Sequence, residues 1–182
     1  MQDDIKKQEL VKASSISLAL DDYDDIFSDF DPRPYSERAL SDDFLAEAKK
    51  GARDKPSGGL ELKLMLPKAK RREEDENTIR KRLREHFRKH YKILRAEKNS
   101  IIYKGVLFVL AGVLVMFFAA LFFFEEAEYS FVDKFLLILL EPAGWFLFWE
   151  GLDMIVFESK KKNPDLSFYK KMVDCEINFI GY

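Results

Sequence analysis

The chain has 182 residues, of which 30 are Lys or Arg and 32 are Asp or Glu, and a formal net charge of −2. This length limits it to one compact domain plus an anchor, and its single cysteine, Cys175, excludes a disulfide framework. A uniformly soluble chain is excluded as well, because the twenty positions 105–124 hold no charged or strongly polar residue.

The N-terminal part predicts a short strand at 16–20, followed by an acidic and aromatic loop at 21–31 that Pro32 and Pro34 end. Residues 1–50 hold 13 acids and 7 bases, a net of −6. We expect the loop to dock on a basic surface, either the helix at 78–98 or a partner protein. The predicted docking residues are Tyr23, Asp24, Asp25, Phe27, Asp29 and Phe30. The spacing of these acids lacks the glycine and glutamate of a calcium loop, so calcium is not expected.

A helix capped by Ser36 or Ser41 is predicted to run to about Lys50, where Gly51 closes it. The clearest strand is 60–66, where leucine occupies every even position and makes one face apolar. A third strand is predicted near 175–180. We expect these three strands to form a small sheet that buries its leucine face under helices, which gives an α+β domain built from both ends of the chain.

A basic amphipathic helix capped by Asn77 or Thr78 is predicted to run to residue 100, with an apolar stripe at Ile79, Leu83, Phe87, Tyr91 and Leu94. Residues 78–98 hold 9 bases and 2 acids, a net of +7. Because this segment precedes an apolar span, we expect it to meet lipid headgroups or the acidic segment of its own chain rather than nucleic acid. The predicted headgroup-binding residues are Arg80, Lys81, Arg82, Arg84, Arg88, Lys89, Lys92 and Arg95.

His86 and His90 are four residues apart, the spacing at which one helix face offers two metal ligands. No third ligand is evident, and the flanking Arg and Lys disfavour a bound cation. We therefore expect a packed histidine pair rather than a metal site.

Two membrane spans are predicted, at 101–124 and 131–157, joined by an external acidic loop at 125–130. Lys and Arg flank the outer ends of both spans, whereas the loop holds three Glu. This bias predicts that both termini, 1–100 and 158–182, are cytoplasmic. The predicted fold class is therefore an α-helical membrane protein, a two-helix transmembrane hairpin with a small cytoplasmic α+β domain.

Small residues repeat every seven positions in both spans, at Gly105, Gly112 and Ala119 in the first and at Gly144 and Gly151 in the second. In an antiparallel hairpin, facing residues have a constant sum. The pairs Gly105–Gly151 and Gly112–Gly144 both give 256, so we predict close helix packing along these pairs.

Three acids lie in the second span, Glu141, Glu150 and Asp153. Ionisable residues at membrane depth cost about 2.5–3.5 kcal/mol on insertion scales and usually face protein or water. The interpretations are interfacial acids balanced by lysines such as Lys104, an oligomer contact at Glu150, or an ion path. Trp145 and Trp149 lie beside these acids and are expected to hydrogen-bond to them.

The stretch from Lys81 to Tyr91, the two spans, and the segments Glu-Pro-Ala-Gly-Trp and Phe-Trp-Glu-Gly-Leu-Asp of the second span resemble a group of small uncharacterised two-span proteins of bacteria and archaea. The resemblance covers about residues 60–182. It implies the two-span topology and carries no activity.

Three function classes follow from these features: an interaction or scaffold subunit, a pore-forming oligomer, and an enzyme or transporter accessory. We expect a membrane-anchored interaction or scaffold subunit of the inner membrane, acting as a homo-oligomer or in a larger complex. The alternative is a pore-forming membrane oligomer, an effector whose acids line a path. An enzyme is not expected, because no nucleophile–base pair or phosphate-binding glycine loop is present, and no cofactor is expected. The expected partners are membrane lipids, a second copy and a cytoplasmic protein, and not nucleic acid.

Overall fold

The computed structural model describes residues 15–55, 59–124 and 130–182. The described chain is mostly helical, with one long apolar helix and a small sheet. It forms two compact units. The sheet unit holds the described residues up to Lys92 together with Asp165–Tyr182, and the helix-pair unit is Ile93–Pro164. Apart from Ser130, the predicted external loop lies outside the described residues.

The sheet has three parallel strands, β1 (Ser15–Ala19), β2 (Glu61–Leu66) and β3 (Glu176–Gly181), with β2 in the centre. The three predicted strands are thus confirmed. Leu64 pairs with Leu18 on one side and with Phe179 on the other. Because alternate residues of a strand point to one face, Leu62, Leu64 and Leu66 are all fully buried.

Three helices complete the sheet unit: α1 (Asp42–Ala52), the beginning of α2 (Glu73–Phe124), and α4 (Asn163–Val173). Their apolar residues join the strands in a single core cluster. Ile79, Leu83 and Phe87, three residues of the predicted stripe, are fully buried in it. The stripe therefore holds α2 to the sheet unit.

Three predicted details of the sheet unit are wrong. The acidic stretch 21–31 is not a loop over its whole length, because Tyr23–Ile26 forms a 3-10 turn capped by Asp22. Gly51 lies inside α1 instead of ending a helix. The long helix begins at Glu73, before the predicted caps, with four acids in its first turn that favour a helix N-terminus.

The helix-pair unit consists of the rest of α2 and of α3 (Phe131–Asp153). Ser130 caps α3 and exchanges hydrogen bonds with Asp133. A π-helical turn, Met154–Glu158, and one α-turn, Ser159–Lys161, follow α3. The predicted second span therefore corresponds to an α-helix that widens in its last turn.

Candidate functional site

The four glycines of the predicted spans lie in two facing pairs. A Cβ atom added to Gly105 would lie 2.8 Å from the carbonyl oxygen of Gly151, and one added to Gly112 would lie 2.7 Å from that of Gly144. Both distances are below those that real Cβ atoms accept, so only glycine allows this backbone approach. The two helices are consequently antiparallel, and the structure brings together the pairs with the shared sum of 256.

Two further residues of the helix pair are buried at positions that match this seam. Ala119 is 4% exposed and Leu137 is 8% exposed, whereas most of their neighbours are exposed. Their numbers also add to 256, and Ala119 lies seven residues after Gly112. Sequence reasoning noted the repeat at Ala119 and missed Leu137, because leucine is not a small residue.

The outside of the helix-pair unit is apolar. In the described part of the chain, all exposed large apolar side chains lie between Tyr103 and Phe157, with four exceptions, Phe30, Ile93, Ile180 and Tyr182. One described helix is long and apolar enough to cross a membrane, the stretch Glu73–Phe122 within α2. Its most apolar window has a mean hydropathy of 2.8 and is 17% buried. No other described helix meets this criterion.

The acids of α3 fall into two groups. Glu150 and Asp153 line one open pocket with Trp149 and apolar residues of α3 and the π-turn. Glu141 is exposed and lies one turn before Trp145, beside Pro142 inside the helix. The expected Trp–acid hydrogen bonds are not seen among the described residues, and Lys104 is exposed without an ion pair to these acids.

The predicted docking segment is divided between the core and the surface. Tyr23 is fully buried and Phe27 is 2% exposed, so neither presents its side chain to a partner. The Tyr23 hydroxyl accepts a hydrogen bond from the Arg72 backbone N–H at 2.8 Å and donates one to Glu76 at 3.2 Å. Asp24 pairs with Arg38 at 2.6 Å. The segment thus packs against residues 70–76 of its own chain, just before the predicted helix at 78–98.

The remaining residues of this segment stay at the surface. Phe30 is 97% exposed, and Asp25 and Asp29 are exposed beside it. Asp31 fixes the loop, since its carboxylate accepts hydrogen bonds from the Arg33 side chain and from the Ala39 backbone N–H. These bonds hold the chain that carries the exposed Phe30 ring.

Glu76 is a buried acid that sequence reasoning did not single out. The residue is 4% exposed, and its carboxylate accepts two hydrogen bonds from Arg71, at 2.8 and 3.0 Å. These bonds from Arg71 hold the pKa of Glu76 below its usual value, although burial opposes them. The pair links the start of α2 to Tyr23.

The basic residues of α2 serve two purposes. Arg80 donates to the Ile177 carbonyl oxygen of β3 at 3.0 Å, and Arg82 donates to the Arg38 carbonyl oxygen at 3.0 Å. These two predicted headgroup residues therefore stabilise the sheet unit. The exposed ones are Lys81, Arg84, Arg88, Lys89, Lys92 and Arg95.

His86 and His90 stack with ring centroids 4.0 Å apart, and Tyr169 of α4 stacks on His90 at 5.4 Å. The Nε2 atom of His86 is buried and has no hydrogen-bond partner. The pKa of His86 is lowered to about 4, mainly by burial and secondly by the charge of the neighbouring His90. In the described residues, no cluster of three or more His, Cys, Asp or Glu is placed to hold a metal ion.

No protein-family model, curated protein or solved structure shows significant similarity to this chain. The function is therefore argued from the geometry of the two units alone.

Proposed function

We propose that this protein is a membrane-anchored interaction subunit. The helix-pair unit is a two-span hairpin in the cell membrane, with both termini in the cytoplasm. The sheet unit is a cytoplasmic domain that presents a protein-binding surface.

The apolar outer surface of the helix pair carries this proposal. A soluble protein rarely exposes an apolar patch of more than a few hundred Å². A helix in a soluble core is mostly buried, but the apolar window of α2 is only 17% buried. Lipid is the environment in which such a helix pair is stable, because its side chains are apolar and its backbone hydrogen bonds are internal.

The pairing of β2 with β3 supports an even number of membrane crossings between these two strands. β2 precedes the helix pair and β3 follows it, yet Leu66 of β2 pairs with Gly181 of β3. A chain that leaves this sheet and enters a membrane must therefore return to the side from which it started. Two helices satisfy this condition, and the lysines after the second helix and before the first favour the cytoplasm for that side.

Phe30 supports the interaction role of the sheet unit. Large aromatic side chains that fill a partner's pocket are frequent hot spots of protein interfaces. The Phe30 ring is almost fully exposed on a loop that Asp31 holds in place, with exposed carboxylates beside it. A partner with an apolar pocket and a basic rim matches this surface.

Membrane extraction tests the anchor. The full chain should stay in the membrane pellet under alkaline carbonate, which releases peripheral proteins. A Leu114→Arg variant places a charge in the apolar window at a cost of about 2.5–3.5 kcal/mol and should reduce the retained fraction, whereas the matched Arg95→Leu variant should not. Release of the wild-type chain into the supernatant would disprove the anchor.

A further inference from the structure

Glu141 is the acid with the least support in the helix pair. It lies ten residues into α3, about 15 Å along the helix, and its side chain is exposed. The seam sum of 256 places it level with Val115, in the middle of the uncharged stretch 105–124. In the described chain it makes no hydrogen bond or ion pair.

No cation is near this level. On α3 the nearest is Lys134, seven residues or about 10 Å away, and on α2 it is Lys104, eleven residues or about 16 Å from Val115. Glu150 and Asp153 differ, because the same sum places Lys104 opposite residue 152, between them. The pKa of Lys161 is raised mainly by Glu158 and also by Asp153. Among Glu141, Glu150 and Asp153, only Glu141 has no lysine at or near its own level in the described part of the two helices.

The face around Glu141 offers both hydrogen-bond donors and acceptors. Ile138, Glu141 and Trp145 follow at steps of three and four, so they share one face of α3. Ile138 is 66% exposed and Trp145 is 48% exposed. The Trp145 indole N–H is a donor, and Pro142 leaves the Ile138 carbonyl oxygen without its helical donor. The Glu141 carboxyl oxygens are acceptors, so the same face carries the Trp145 donor and these acceptors one helical turn apart, which makes it self-complementary.

We propose that this face binds a second copy of the chain within the membrane, with the Trp145 indole N–H of each copy donating to Glu141 of the other. The inference rests on the proposed two-span anchor. Around a twofold axis normal to the membrane, each residue meets its counterpart at the same depth. A second copy therefore brings the matching donors and acceptors to the depth of Glu141, which lipid does not.

Energy transfer between donor- and acceptor-labelled full-length chains in vesicles tests the contact. The wild type should form a dimer, and Glu141→Leu, present in both copies, should weaken it about tenfold to three-hundredfold, the effect of losing two symmetry-related interhelical hydrogen bonds. Glu141→Gln keeps an acceptor oxygen and should remain within about threefold. The control Glu150→Leu, the same substitution on the same helix, should leave the dimer unchanged. A monomeric wild type, an unchanged Glu141→Leu dimer or an equal loss in Glu150→Leu would overturn the proposal.

Disulfide formation in membranes gives a second measurement. Ile138→Cys should link two copies on oxidation, whereas Leu136→Cys, two residues away on another face of α3, should not. Equal yields would contradict the contact. Alkaline extraction of each variant separates the two proposals: a retained monomer overturns only the dimer, whereas release overturns the anchor and the dimer with it.

Discussion

Phe27 and Phe30 stand three residues apart in the same acidic stretch, yet their surroundings are opposite. Phe27 stacks on Tyr35 with ring centroids 5.1 Å apart, and Arg38 lies over its ring. Phe30 is almost fully exposed. The sequence suggests equal roles for the two rings, because the 3-10 turn that directs Tyr23 and Phe27 inward depends on contacts with Arg72 and Glu76, about fifty residues away.

Substituting these two phenylalanines should therefore have unequal effects. Phe27→Ala leaves a cavity in the core and should lower the free energy of unfolding of the sheet unit by about 3–5 kcal/mol. Phe30→Ala should change it by less than about 0.5 kcal/mol. Pulse proteolysis of the full chain in detergent at increasing urea measures both values. Similar losses in the two variants would contradict the assignment of Phe30 to the surface.

His86 makes the stability of the sheet unit depend on pH. Burial lowers its folded pKa to about 4, below the usual 6.5, so the unfolded chain binds a proton more readily. Its contribution to stability is complete above pH 6.5 and is lost as the pH falls from there to about 4. Arg82 and Lys89 add to the effect, since they also disfavour a charged imidazole.

His86→Phe should remove this pH dependence, because phenylalanine stacks on His90 without titrating. Because of His86, the free energy of unfolding of the wild type should fall by up to about 1.4 kcal/mol for each pH unit between pH 6.5 and about 4. The variant should lack this contribution, so its free energy of unfolding should fall less steeply. The control Glu85→Gln, an exposed neighbour, should keep the wild-type slope. Urea unfolding at several pH values measures the slope of the free energy of unfolding against pH. Identical slopes for His86→Phe and the wild type would refute the account.

At the scale of elements, the alternation of leucines and the repeat of glycines are the sequence patterns that predict the structure best. The even-numbered leucines predict β2, and the seven-residue glycine repeat predicts which residues of α2 and α3 face each other. The parallel direction of all three strands was not predicted, because strand direction depends on the crossovers and not on side-chain alternation. The π-turn after Asp153 has no sequence signal that we recognise.

The seam makes a prediction at its third pair. Cysteines at Ala119 and Leu137 should form a disulfide within one chain on oxidation, and the control pair Phe118→Cys and Leu137→Cys should not, because Phe118 is exposed. Native Cys175 should add little background, since burial raises the pKa of its thiol to about 11. Gel mobility under non-reducing conditions reports the linkage. Equal yields from the two pairs would show that the helices pack on other faces.

For the whole molecule, the central claim is that the chain forms an apolar helix pair, inserted in the membrane, after β2 and before β3, although these two strands are neighbours in one sheet. The sequence indicates this plan through its uncharged stretch and the charges that flank it. It does not show that β2 and β3 are paired, because no local pattern joins residues more than a hundred positions apart. That pairing predicts that both ends of the helix pair lie on the same side of the membrane.

The most direct test places one reporter of cytoplasmic or external location at three positions of the full chain. The positions are a fusion before Met1, a fusion after Tyr182, and an insertion within 125–129. The account predicts a cytoplasmic signal from both fusions and an external signal from the insertion. Fusions that report opposite sides, or an insertion that reports the cytoplasm, would contradict the two-span hairpin.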